Sequence, residues 1–143
     1  MNDYLGQAAV MEKKLKELIK EKQYEQAWKL THEISEIHIK HINATSYVNT
    51  PGIQDWALCF SNSVAEYRAV ILSKEGKHID ALLQSVWRAA VEHRPIKKYE
   101  EKMLAYLKKA KVDLTPSELI QILNRTRQHK NIDLLREEIK RYA

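Results

Sequence analysis

The sequence predicts an all-α protein, and three observations carry that prediction. Gly and Pro number only three each in 143 residues. Sheets joined by tight turns need many positions with positive φ, and three glycines hardly supply them. Apolar side chains recur every three or four positions in nearly every segment, as they must on one face of a helix. The apolar fraction of 44% and charged fraction of 30% suit a solvated globule with a buried core, not a disordered chain. The expected architecture is five to seven mostly antiparallel helices forming one domain over residues 1–143, either a helical-hairpin array or an irregular bundle.

The first helix is expected from about Asp3 to Lys22, capped by Asn2 or Asp3, with Met11, Leu15, Leu18 and Ile19 as its stripe. A break near Lys22–Gln23 opens a second helix to about His41, seamed by Ala27, Leu30, Ile34 and Ile37 and widened by Trp28. The Asn-, Thr-, Ser-, Pro- and Gly-bearing run from Asn43 to Gly52 reads as the main loop. Thr50-Pro51 then starts a third helix to about Glu75, since a proline at the first helical position lacks only an N–H that would be idle there. Its stripe is Trp56, Phe60, Val64, Tyr67 and Ile71, and Gly76 stops it.

The fourth helix, about Ile79–Glu92, presents Leu82, Leu83, Val86, Trp87, Ala90 and Val91, and Pro95 marks its end. A fifth carries Ile96, Tyr99, Met103, Leu107 and Ala110. Thr115-Pro116-Ser117-Glu118 is a capping box opening a sixth helix, lined by Leu119, Ile122, Leu123 and Thr126. After a turn at His129–Asn131, a seventh shows Ile132, Leu135, Ile139 and Tyr142.

Three segments resemble one another. Lys22–Ile34 (KQYEQAWKLTHEI), Lys77–Ala89 (KHIDALLQSVWRA) and Lys130–Arg141 (KNIDLLREEIKR) lie roughly 53–55 residues apart, close to one helical hairpin plus a connection. The stretch Ala65–Pro95, AEYRAVILSKEGKHIDALLQSVWRAAVEHRP, resembles a tetratricopeptide repeat: Ala69, Gly76, Ala81 and the trailing proline fall near that family's small-residue and terminator positions. Arg68 stands where the family usually has a large apolar residue, the period exceeds the family's, and about one repeat of the chain matches. The resemblance implies stacked hairpins with a protein-binding groove lined by the first helix of each, including Arg68.

Charge is unevenly distributed. Residues 88–143 carry fourteen Lys/Arg against eight Asp/Glu, whereas residues 1–87 are close to balanced. That asymmetry points to an acidic partner, protein or nucleic acid, for the C-terminal part. The basic residues form two tracts. Arg88, Arg94, Lys97, Lys98, Lys102, Lys108, Lys109 and Lys111 make the first, and Arg125, Arg127, Lys130, Arg136, Lys140 and Arg141 the second. Glu100, Glu101, Glu137 and Glu138 interrupt them, the usual look of a solvated helix face. The candidate binding residues are Arg68, Arg88, Arg94, Lys97, Lys98, Lys102, Arg125, Arg127 and Lys130. A protein partner is the leading expectation, with RNA or DNA the alternative.

Catalytic patterns are sparse. Arg88 and His93 are five apart, a spacing that resembles the Arg–His signature of HEPN ribonucleases, in which His moves protons and Arg stabilises phosphate charge. Ala89 stands where that family usually has a polar residue, and the plainer reading is a surface Arg with a His near a helix end. His38 and His41 share a helical face but find no third ligand at matching spacing. Cys59, the only cysteine, has no identifiable base nearby and excludes an internal disulfide. The Ser61–Ser63 run lacks a glycine elbow, and no phosphate-binding loop occurs. The expectation is therefore a non-enzymatic binding module without metal or cofactor. MNDYLGQAAVMEKK reads as neither signal peptide nor anchor, so the expected location is the cytoplasm, away from membranes.

Overall fold

The computed structural model describes residues 3–44, 59, 61–92 and 95–143. Among these residues there are seven α-helices and no strand, as the sequence predicts. They are α1 (Tyr4–Lys20), α2 (Tyr24–Ala44), α3 (Ala65–Lys74), α4 (His78–Glu92), α5 (Lys97–Ala110), α6 (Pro116–His129) and α7 (Ile132–Lys140). The chain divides into two compact units, Met1–Tyr67 and Arg68–Ala143, the division falling within α3.

In the first unit α1 and α2 pack as a hairpin. Asp3 caps α1, its carboxylate accepting from the Gly6 N–H at 3.0 Å. The turn closes with paired bonds, Gln23 N–H to the Leu18 carbonyl at 2.8 Å and Lys22 N–H to that of Ile19 at 3.1 Å. That pattern needs a left-handed residue between them, and here it is Lys22, φ 61°, without the usual glycine. Ala8, Leu15 and Leu18 face Ala27, Leu30, Thr31, Ile34, His38 and Ile42, all buried. Met11, Ile19 and Ile37, expected in the seams, are half-buried, as is Trp28, whose ring meets His32 edge-on at 5.5 Å.

The continuous helix expected from Thr50 to Glu75 is corrected at Asn62–Val64, which form a turn before α3. The Ser61 carbonyl accepts from the Ser35 hydroxyl at 2.8 Å, while the Ala65 N–H turns to the Asn62 carbonyl at 3.0 Å. Ser and Asn side chains compete for backbone partners, and this run interrupts the ladder there. Thr50, Pro51, Trp56 and Phe60 lie outside the described residues. Val64 and Ile71 are buried and Tyr67 is half-buried, its hydroxyl donating to Glu12 at 2.5 Å.

The second unit is built on α4, which packs against α5, α6 and α7. Leu82, Leu83, Val86, Trp87, Ala90 and Val91 are all buried, as the stripe predicts. Ala81, Ser85 and Ala89 are buried as well, four residues apart on a second face. A helix buried on nearly all sides belongs at the centre of its unit, and small residues let neighbouring backbones approach. Tyr99, Met103 and Leu107 of α5, Leu119, Ile122, Leu123 and Thr126 of α6, and Leu135 and Ile139 of α7 complete the core.

Local signals fix the ends of these helices. Gly76, φ 80°, closes α3 with the same paired bonds as Lys22, Lys77 N–H to Leu72 and Gly76 N–H to Ser73. The Thr115 capping box forms on both sides: its hydroxyl accepts from the Glu118 N–H at 3.2 Å, and the Glu118 carboxylate from the Thr115 N–H at 3.0 Å. Asn131 caps α7 through the N–H groups of Asp133 and Leu134. The Asp113 N–H donates to the Tyr142 carbonyl at 2.9 Å, tying the α5–α6 connection to the end of α7.

Candidate functional site

The basic residues of the second unit differ in their engagement: most described guanidiniums have a partner within the chain, Arg141 is exposed, and most lysines lie at the surface. Arg127, on α6, is half-buried, and its guanidinium donates to the Ala89 carbonyl on α4 at 3.0 Å. Ala89 lies in the last turn of α4, whose carbonyls lack partners within the helix and carry its negative dipole end. Arg127 thus ties α6 to the end of α4. Arg125 donates through Nε to Glu138 of α7 at 2.6 Å, and Arg136 to Asp133 within α7 at 2.7 Å. Lys130 is the left-handed residue ending α6, φ 50°. Arg68 is half-buried, and burial pushes its guanidinium below its ordinary pKa.

Arg88 is likewise engaged. Its Nε donates to Glu92 at 3.0 Å one turn along α4, and the two side chains retain only 22% and 12% of their exposure. The Tyr99 hydroxyl donates to the second Glu92 oxygen, and the Arg88 guanidinium lies 5.7 Å from the centre of the Tyr99 ring. A guanidinium that neutralises a phosphate must present its donors outward; here one donor and one face are taken by Glu92 and Tyr99. His93 and Arg94 lie outside the described residues. The sequence reading missed Glu92 and Tyr99 as partners of Arg88. The i,i+4 spacing of Arg88 and Glu92 was the available signal.

The lysines of α5 behave differently. The buried stripe Tyr99, Met103 and Leu107 fixes the helix rotation, so the opposite arc faces water. That arc carries Lys97, Lys98, Lys102, Lys108 and Lys109 with Glu101 and Ala105, all exposed. Lys98 extends over the outer face of Tyr99 at 5.6 Å. Lys97, Lys108 and Lys109 form no ion pair among the described residues. The result is a narrow cationic ridge on a rigid helix.

The histidine pair separates. His38 is buried, its Nδ1 lying 3.4 Å from the Ser63 hydroxyl, whereas His41 is half-buried. Among the described residues no three His, Cys, Asp or Glu side chains are grouped to hold a metal ion. Cys59 is half-buried. No helix among the described residues is long and apolar enough to cross a membrane.

Comparison with protein-family models, characterised proteins and solved structures returns no match to this chain.

Proposed function

We propose that this chain is a non-catalytic binding module whose second unit docks an acidic protein segment along the lysine ridge of α5. One observation carries the reading: Lys97, Lys98, Lys102, Lys108 and Lys109 occupy the water-facing arc of one helix, interrupted by Glu101 and bordered by the exposed Glu100. Such a ridge steers an oppositely charged partner and fixes its register. Of the guanidiniums suited to grip phosphate in pairs, Arg127 is held by the Ala89 carbonyl, and Arg125 and Arg136 each commit donors to a carboxylate, Glu138 and Asp133. That distribution favours protein over nucleic acid. The engagement of Arg88 by Glu92 and Tyr99 supports a non-catalytic role for Arg88.

The reading is tested by titrating the full chain, at several salt concentrations, with a fluorescent acidic peptide and separately with a short RNA. The peptide is expected to bind saturably, and Lys97→Glu with Lys98→Glu is expected to weaken it about tenfold, the effect of roughly 1.4 kcal/mol. RNA binding tighter than the peptide, with a steep fall as salt rises, would overturn it in favour of a nucleic-acid partner.

A further inference from the structure

An open cleft of about 620 Å³ lies within the second unit, where the α3–α4 turn and the first turn of α4 meet the end of α5. Gly76, Lys77, His78, Ile79 and Asp80 form one wall, and Lys109, Ala110 and Lys111 the other. Two features make this cleft mainly positive. Lys77, Lys109 and Lys111 are exposed, and none of their ammonium groups pairs with a carboxylate among the described residues, Asp80 included. Lys77 immediately precedes α4, and a lysine side chain accepts no hydrogen bond, so it leaves the opening N–H groups of the helix uncapped. The first intrahelical bond runs from the Ala81 N–H to the Lys77 carbonyl at 3.0 Å, so the N–H groups of His78, Ile79 and Asp80 stand ahead of the ladder.

Unpaired lysines and idle backbone donors around a ligand-sized space match an oxyanion with several acceptors. Asp80 and the carbonyl end of α5 oppose this, but Lys108 and Lys109 in the last turn of α5 offset that end. We propose that the cleft binds the phosphoryl or pyrophosphoryl group of a small soluble phosphate ester, its oxygens held by Lys77, Lys109, Lys111 and the first N–H groups of α4. This site adjoins the protein-docking ridge at Lys109 and otherwise draws on different residues, and neither requires the other.

The test is pyrophosphate titrated into the full chain, followed by calorimetry and by backbone amide shifts. Two triple variants are compared with the parent: Lys77→Gln, Lys109→Gln, Lys111→Gln in the cleft, and Lys97→Gln, Lys98→Gln, Lys102→Gln outside it. Saturable binding is expected, weakened at least tenfold by the cleft triple and less than twofold by the other, with the amides of His78, Ile79 and Asp80 shifting together. Equal weakening by both triples would show diffuse attraction to a basic surface and overturn the proposal. So would shifts absent from those three amides in the parent chain, or no saturation by concentrations on the order of 10 mM. The amide readout uses the parent chain, so it decides the question even where a variant folds poorly.

Discussion

Arg127→Ala removes the guanidinium that reaches from α6 to the Ala89 carbonyl of α4 at 3.0 Å. A hydrogen bond from a charged donor contributes about 1.5–3 kcal/mol, and a carbonyl left without a partner in a buried place adds to the cost. Arg127 is only half-buried, so water reaches part of the vacated space and the lower half of that range applies. The expected loss is about 2 kcal/mol from the second unit. With a urea dependence of about 2 kcal/mol per molar, the unfolding midpoint should fall by about 1 M. Trp87 is buried in α4, so its fluorescence in a Trp28→Phe, Trp56→Phe background follows this unit. Lys102→Ala on the exposed ridge serves as the control and should stay within about 0.5 kcal/mol. An unchanged midpoint for Arg127→Ala, accompanied by weaker binding of RNA, would refute the assignment of Arg127 to the fold and return it to the surface.

Lys22→Gly should raise thermal stability by about 0.5–1 kcal/mol, because Lys22 holds φ 61° where glycine carries no steric penalty; a lower melting temperature would contradict this. Leu123→Ala should cost about 2–5 kcal/mol by chemical denaturation, since Leu123 is fully buried in α6, and a loss below 1 kcal/mol would place that face at the surface. The Thr115 N–H, and next its hydroxyl, hold the Glu118 carboxyl below the ordinary value of 4.5. A carboxyl lowered by folding stabilises the native state fully above that ordinary value and loses its contribution as pH falls through the lowered one. Glu118→Gln should therefore flatten the acid-side decline in stability below about pH 4.5, and parallel profiles for variant and parent would dispose of the argument.

The sequence carried most of the second unit. The α6 face of Leu119, Ile122, Leu123 and Thr126 is buried as its spacing predicted, because the Thr115 capping box fixes where that helix begins. What periodicity missed in α4 was its second buried face. Ala81, Ser85 and Ala89 are too small or too polar to stand out in an apolar count, yet smallness is what lets neighbouring backbones approach. The breaks at Lys22–Gln23 and His129–Asn131 were legible from the periodicity, but the left-handed conformation of Lys22, Lys111 and Lys130 was not, since lysine gives no turn signal of its own. His38 looked like part of a polar face and is buried beside Ser63, a contact across 25 residues that no local pattern encodes.

The candidate site was legible as composition but not as geometry. Both basic tracts are plain in the sequence, whereas only the fold shows that Arg88 and Arg127 are half-buried against partners within it while the α5 lysines face water. The difference arises from the rotation of each helix about its axis. That rotation is set by which stripe is buried, and hence by packing between elements distant in sequence.

The most direct measurement of the account places a photo-crosslinking residue at Ala105, exposed among the lysines of α5, in the full chain expressed in its native cells. The account predicts an adduct that protease destroys and nuclease leaves intact, and whose yield falls when Lys98→Glu is added. An adduct destroyed by nuclease, or none above the level of the same residue placed at the exposed Lys40 of α2, would contradict it.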